Sequence, residues 1–372
     1  MTSVVRGAAV LSSLVVFLAV AASRASAHVK YVTPGSDPVE VVAFLVGALA
    51  NPFNLAVLGV GGLAVVATGA AYLGLRPFPN DVRAFRRVLA SYDDLLPWLL
   101  RLAVGLPLVG AGFSGYFFSP VVEPAAPVFV RLFGIAVGFL LLFGLGTRLV
   151  AAVGLVAYLV GLAVEPALFL AFEYVPGFVA IALVGGGRPS ADHVVASMAA
   201  DDRTVYARID PFYRRVALPF VERTRHLEAY VPTVLRLGVG VTFIYLGIAQ
   251  KLMQPGDALA VVSKYDLTAV VPVAPELWVV GAGLTEALVG VLFIVGAFTR
   301  AASGVAFLLF TTTLFGLPDD PVLAHISLFG LVSALLVTGG GPYSVDSALH
   351  RGDAGVTDAN TSPSPTNGER GY

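Results

Sequence analysis

The chain has 372 residues, of which 57% are hydrophobic and 13% charged, with a net charge of -1 and no cysteine. A mean hydropathy of +0.84 means more apolar surface than one water-soluble core can hide, so the chain belongs in a lipid bilayer. The charge balance gives no basic field for nucleic acid, and the missing cysteines exclude disulfides, Fe–S ligation, thiol exchange and covalent c-type haem. The histidines His28, His193, His226, His325 and His350 are scattered and only His325 sits in a hydrophobic span, which excludes a haem–copper catalytic subunit.

Residues 1–27 hold Arg6, the apolar run AAVLSSLVVFLAVAA and then SRASA, so they read either as a cleavable signal peptide or as a first transmembrane helix. Cleavage would expose His28 as an N-terminus, where amine and imidazole could hold Cu(II); with no second ligand in view it is read as a solvated residue, and no metal is expected. Residues 28–95 contain a short apolar piece at 39–50, read as a surface or re-entrant segment, one span at 55–73, and a loop carrying Arg76, Arg83, Arg86 and Arg87. Such a cluster beside spans marks the cytoplasmic side.

From residue 96 the chain repeats itself. LLRLAVGLPLVGAGFSGYFFSP and VLRLGVGVTFIYLGIAQKLMQP align without a gap, pairing Arg101 with Arg236, Gly105 with Gly240, Gly112 with Gly247 and Pro120 with Pro255. The next blocks pair Gly138 with Gly290, Gly144 with Gly296 and Thr147-Arg148 with Thr299-Arg300, and both copies close on GGGRPSAD and GGGPYSVD. Matched blocks in the same order predict two tandem parallel four-helix units, 96–192 and 231–346, in an all-α polytopic bundle. The predicted spans are 96–117, 129–147, 149–164 and 168–184, then 234–252, 277–297, 301–317 and 322–338, each near the 20 residues that cross a bilayer.

Placing the four-Arg loop inside also puts Arg148, Arg300 and the linker arginines inside, while the loops on the other face hold Lys264 and no arginine. This agrees with the positive-inside rule and predicts a multi-pass protein of the cell membrane with a cytoplasmic C-terminus. The linker 193–230 contains Phe212, Val216, Phe220 and Val221 at helical spacing beside Arg214, Arg215, Arg223 and Arg225. It reads as an interfacial amphipathic helix or as a solvated connector. The tail 347–372 has almost nothing apolar to bury and is expected to be disordered.

An arginine opening the first helix, glycines and a lysine toward its end, Glu-x-x-x-Gly in the second helix leading to Gly-x-x-Thr-Arg, and a Gly-rich exit with Ser-x-Asp make the second unit resemble the DoxX/DoxD family of integral membrane proteins. The first unit resembles it in degenerate form. The resemblance implies a four-helix membrane module associated with quinone-linked redox enzymes, of which the namesakes are small subunits of thiosulfate:quinone oxidoreductase and of a terminal quinol oxidase. It therefore implies an accessory or quinone-interacting subunit, with a quinone as ligand and an oxidoreductase subunit as partner.

The residues themselves single out one cluster. Lys251 lies one turn before Pro255, Glu286 about ten residues into a helix that starts outside, roughly 15 Å deep, and His325 a few residues into the fourth span from the same face. The first unit has Tyr116 and Gly134 at the positions of Lys251 and Glu286, so both charges are missing together, as an ion pair requires. The lysine must reach inward to meet the acid, or Tyr245 or a water must bridge them. The cluster reads in two ways: a site that binds a quinone carbonyl and handles its protons, or helix fastening with Lys251 snorkelling to the headgroups. Glu173, with Tyr174 and Tyr116, is a candidate second polar site in the first unit, and Arg101, Arg148, Arg236 and Arg300 read as topology anchors. The alternative function is a non-catalytic scaffold or small-molecule permease.

Overall fold

The structure, a computed structural model, describes residues 39–122, 124, 126–210 and 213–349. The expectations for residues 1–27, for His28 and for the tail from residue 350 onward lie outside the described residues, as does Phe212.

The chain begins with α1 (Val41–Ala50) and α2 (Pro52–Leu75), separated by Asn51, whose side chain accepts from the Phe53 amide ahead of Pro52. In α2 only Asn54 is buried, so this helix offers almost its whole apolar surface to lipid. Of the four arginines expected in a loop, Arg76 ends α2 while Arg83, Arg86 and Arg87 stand on α3 (Pro79–Ala90), where Pro79 and Asp81 favour a helix start and Arg87 its end.

Two sets of helices follow. The first comprises α4 (Leu96–Ser114), α5 (Pro127–Phe143), α6 (Thr147–Val164) and α7 (Tyr174–Val184). A connecting segment carries α8 (Ala191–Ala200), α9 (Val205–Ile209) and α10 (Leu218–Thr224). The second set comprises α11 (Val231–Ile244), α12 (Pro255–Lys264), α13 (Leu267–Val270), α14 (Pro275–Val295), α15 (Thr299–Gly316) and α16 (Val322–Thr338). Five helical stretches are long and apolar enough to cross a membrane, those containing α2, α4, α6, α11 and α14; α5, α7 and α16 are apolar but shorter. The protein is an all-helical, multi-pass membrane protein.

Two expectations need correction. The span foreseen at 168–184 is a 3₁₀ stretch, Pro166–Ala171, followed by the 11-residue α7; Pro166 and Pro176 disfavour one continuous α-helix, and the Tyr158 hydroxyl donates to Leu168 O at 2.7 Å to hold the break. The loop foreseen around 257–276 contains α12 and α13, because Ala258, Val261 and Val262 bury one face. The linker is helical without interruption from Tyr213 to Tyr230, through a π turn, Tyr213–Ala217, the short α10 and a 3₁₀ turn, Arg225–Tyr230, with Val216 and Phe220 more than half exposed.

Helices α4 and α5, and likewise α11 and α14, cross on glycines. A Cβ at Gly105 would stand 3.0 Å from Gly138 O, and one at Gly240 would stand 2.8 Å from Gly290 O. Backbones approach this closely only where side chains are absent, the usual device for packing helices in lipid.

One end of each set is closed by the same latch. Arg101 Nη1 donates to Leu142 O at 3.1 Å and its Nη2 to Pro189 O; Arg236 Nη1 donates to Phe293 O at 3.0 Å and Ile294 O at 2.9 Å, and its Nη2 to Tyr343 O at 2.8 Å. Asp192 accepts from the Gly146 and Thr147 amides at 2.7 and 2.9 Å, and Asp346 from the Phe298 and Thr299 amides at 2.8 and 2.9 Å. Asp192 thus caps the N-terminus of α6 and Asp346 that of α15, where the free amides and the helix dipole favour negative charge.

Contacts between the sets are also reciprocal. A Cβ at Gly238 would collide with the ring of Pro176, and one at Gly330 with the side chain of Ala103; the alignment pairs Gly238 with Ala103 and Pro176 with Gly330. Likewise the Phe169 and Tyr245 rings meet edge-on at 4.7 Å, while Leu323 lies 2.7 Å from where Gly110 would carry a Cβ, and these residues again correspond.

Candidate functional site

At the end of the bundle opposite the latches the two sets differ. Helix α4 stops at Gly115, which takes the left-handed conformation (φ 90°) that glycine adopts without penalty. The matching residue of α11 is Gln250, and that helix runs on as a π-helix, Tyr245–Leu252. The wider winding carries Lys251 inward, and its Nζ donates to Glu286 Oε2 of α14 at 2.6 Å. Gly247, one turn before Lys251, permits the approach: a Cβ there would lie 2.8 Å from Ala287 N and 3.1 Å from Glu286 Cβ. The lysine therefore needs no bridge. Tyr245, foreseen as a possible one, instead accepts a hydrogen bond from Gln250 Nε2 at 2.9 Å within the same π segment. The pair is not sealed: the Lys251 and Glu286 side chains are 23% and 16% exposed.

His325, expected beside these two, takes a different partner. Its Nε2 lies 3.5 Å from Asp320 Oδ2, and its Nδ1 is 3.3 Å from Pro321 O. The imidazole is thus held between a backbone carbonyl and a carboxyl group at the start of α16. Burial pushes the Asp320 carboxyl above its ordinary range, against the pull of His325 and Lys251. Through that pull the two pairs belong to one electrostatic cluster, and Asp320 Oδ1 has no hydrogen-bond partner among the described residues. Asp320 is the residue that the sequence reading missed, because PDDP looks like a solvated turn; two acids next to a span that opens on a histidine were the available signal.

The cluster has a roof. Helix α12 packs on both helices that carry the Lys251–Glu286 pair, and Ala258 and Val262 join Phe44 and Ala48 of α1 in an apolar patch with Val279 and Val280 of α14. The short segment read as surface or re-entrant is therefore part of this cover. Outside it, Lys264 pairs with Asp319 at 2.8 Å, and Tyr265 donates to the same carboxylate at 3.0 Å.

The second polar site foreseen from Glu173, Tyr174 and Tyr116 does not assemble. Glu173 accepts from Ser327 of α16 at 3.0 Å, while the Tyr174 ring packs edge-on against Phe118 at 5.0 Å and Tyr116 is half-buried at the end of α4. The arginines read as topology anchors are more than side markers. Arg101 and Arg236 are each 1% exposed, Arg300 donates to Leu336 O and Val337 O at 3.0 and 2.9 Å, and Arg148 bonds Thr224 of the connecting segment. The Gly-x-x-Thr-Arg and Ser-x-Asp signatures are thus the parts of the latch.

Among the described residues no group of His, Asp and Glu has the spacing to hold a metal ion. No curated protein and no solved structure matches the chain. The DoxX family model matches residues 231–318, from the first residue of α11 to the turn after α15. Those residues, which include both Lys251 and Glu286, are thus similar to the DoxX family.

Proposed function

We propose that the protein is a duplicated DoxX-like module serving as an accessory, quinone-interacting subunit of a membrane oxidoreductase, of the quinol oxidase or thiosulfate:quinone oxidoreductase type. Its site is the Lys251–Glu286 pair at the outer face of the cell membrane. The observation that carries this reading is a charged pair at 2.6 Å that stays partly exposed in one helix set and is absent from the other. A bound quinone supplies the redox chemistry; its reduction takes up two electrons, here from a partner oxidoreductase, and two protons. Lys251 can donate to a carbonyl oxygen while Glu286 holds or yields a proton. Asp320, whose carboxyl is pulled by both His325 and Lys251, adds a second acid to the same charged cluster.

The test uses Trp278, on the helix that carries Glu286. In a Trp98→Phe background, titration with a ubiquinone or menaquinone analogue is expected to quench Trp278 saturably, and Glu286→Gln to weaken binding about tenfold, the value of one lost charge-assisted hydrogen bond. Absence of saturable quenching, or affinity unchanged by Glu286→Gln, speaks against the site. A pull-down that returns no flavoprotein or dehydrogenase would favour the scaffold or permease reading.

A further inference from the structure

Glu173 is a carboxyl group in the middle of the bundle, outside the site just described. It is 3% exposed and stands where the 3₁₀ stretch gives way to α7, so it is 11 residues from the far end of that helix, about 16 Å. Ser327 stands the same number of residues from the end of α16. The alignment that pairs Gly185 with Gly339 also pairs Glu173 with Ser327, and the two are bonded to each other at 3.0 Å. A residue that touches its own counterpart lies on a two-fold axis. The reciprocal contacts at Gly238–Pro176 and Ala103–Gly330 flank the same axis, so the two helix sets meet as the halves of a dimer would.

On that axis the acid has one satisfied oxygen. Oε1 accepts from the Ser327 hydroxyl, and Oε2 has no hydrogen-bond partner among the described residues. The packed elements bring it no cation: Arg101 and Arg236 are fastened at the latch, Lys251 is tied to Glu286, and His325 faces Asp320. Tyr245 and Tyr174 are engaged with Gln250 and Phe118. An isolated carboxylate in such surroundings is far too costly to persist, whereas a neutral acid is not.

We propose that Glu173 is a membrane-embedded proton-binding site on the pseudo-two-fold axis, with its proton carried on Oε2 and Ser327 as the partner of Oε1. The ligand is a proton, exchanged with water only when the contact between the two helix sets opens. The site is independent of quinone binding, so failure of one proposal leaves the other standing.

The test is infrared spectroscopy of the full chain in nanodiscs at neutral pH. The expected spectrum contains the C=O stretch of a protonated, hydrogen-bonded carboxylic acid that disappears in Glu173→Gln and moves to the position of a less hydrogen-bonded acid in Ser327→Ala. A band that survives Glu173→Gln, or a carboxylate signature for this residue at neutral pH, overturns the proposal. If Glu173→Gln does not fold, the Ser327→Ala spectrum decides alone, and a band that does not move in that variant overturns it equally.

Discussion

Helices α4 and α11 match through their arginine and their crossing glycines and part from Gly110 and Tyr245 onward, where the second takes π winding. There Gly115 ends α4, and Gln250 lets α11 wind on to Lys251. The connection that follows is short in the first set, while in the second it is long enough to hold α12 and α13. The latch end is the same in both sets because it makes the fold; the opposite end diverges where one set has gained a charged pair and a roof. Where a membrane bundle keeps a feature in both halves, that feature is read first as architecture, and where one half departs, as the place of function.

The comparison breaks most visibly at the latch. Arg101→Met and Arg236→Met each leave several buried carbonyls and a capping aspartate without their cation, and each is expected to cost roughly 3–5 kcal/mol. Thermal unfolding in detergent should give similar losses for the two; a large loss in only one would show that the halves do not share this closure. The crossing comes next. Gly330→Ala forces a methyl into Ala103 and is expected to cost about 1–3 kcal/mol, which Ala103→Gly in the same chain should largely return, a coupling that a double-mutant cycle reads directly.

A smaller effect is expected when the second set is given the residues of the first. Lys251→Tyr or Glu286→Gly alone should cost about 1–2 kcal/mol, between an exposed and a buried pair. The double variant should recover most of that while losing quinone-analogue binding. If the double variant is as unstable as the sum of the singles, the pair was not the unit that the first set lacks.

The smallest effect is at the fastening of the roof. The hydrogen bonds from Lys264 and Tyr265 hold the Asp319 carboxyl below its ordinary range. A depressed carboxyl contributes stability above its unfolded value, about pH 3.9, and loses it as pH falls through the lower folded value. Asp319→Asn should therefore lower the unfolding midpoint slightly at neutral pH, and wild type and variant should converge on acidification.

Much of this was legible in the sequence because its signals are local or repeated. The crossing glycines, the arginines that open α4 and α11, and the joint absence of two charges at Tyr116 and Gly134 follow from aligning the chain with itself. What stayed hidden depends on three dimensions. Nothing in the order of residues says that Arg236 turns into the protein to meet Tyr343 O instead of facing headgroups. The partner of His325 lies in a turn that composition marks as solvated, and Glu173 finds Ser327 only when two helices far apart in sequence meet. The break before α7 was foreshadowed by Pro166 and Pro176, but a run of apolar residues outweighed them.

The π winding of Tyr245–Leu252 has a further consequence. It fits an additional residue into the helix without completing an additional turn, so everything after it is rotated relative to a regular α-helix. Were the same residues wound as a regular α-helix at unchanged length, the ammonium group would swing by roughly 100° around the helix axis. A change in winding alone, with every charge still present, is enough to detach this lysine from its acid.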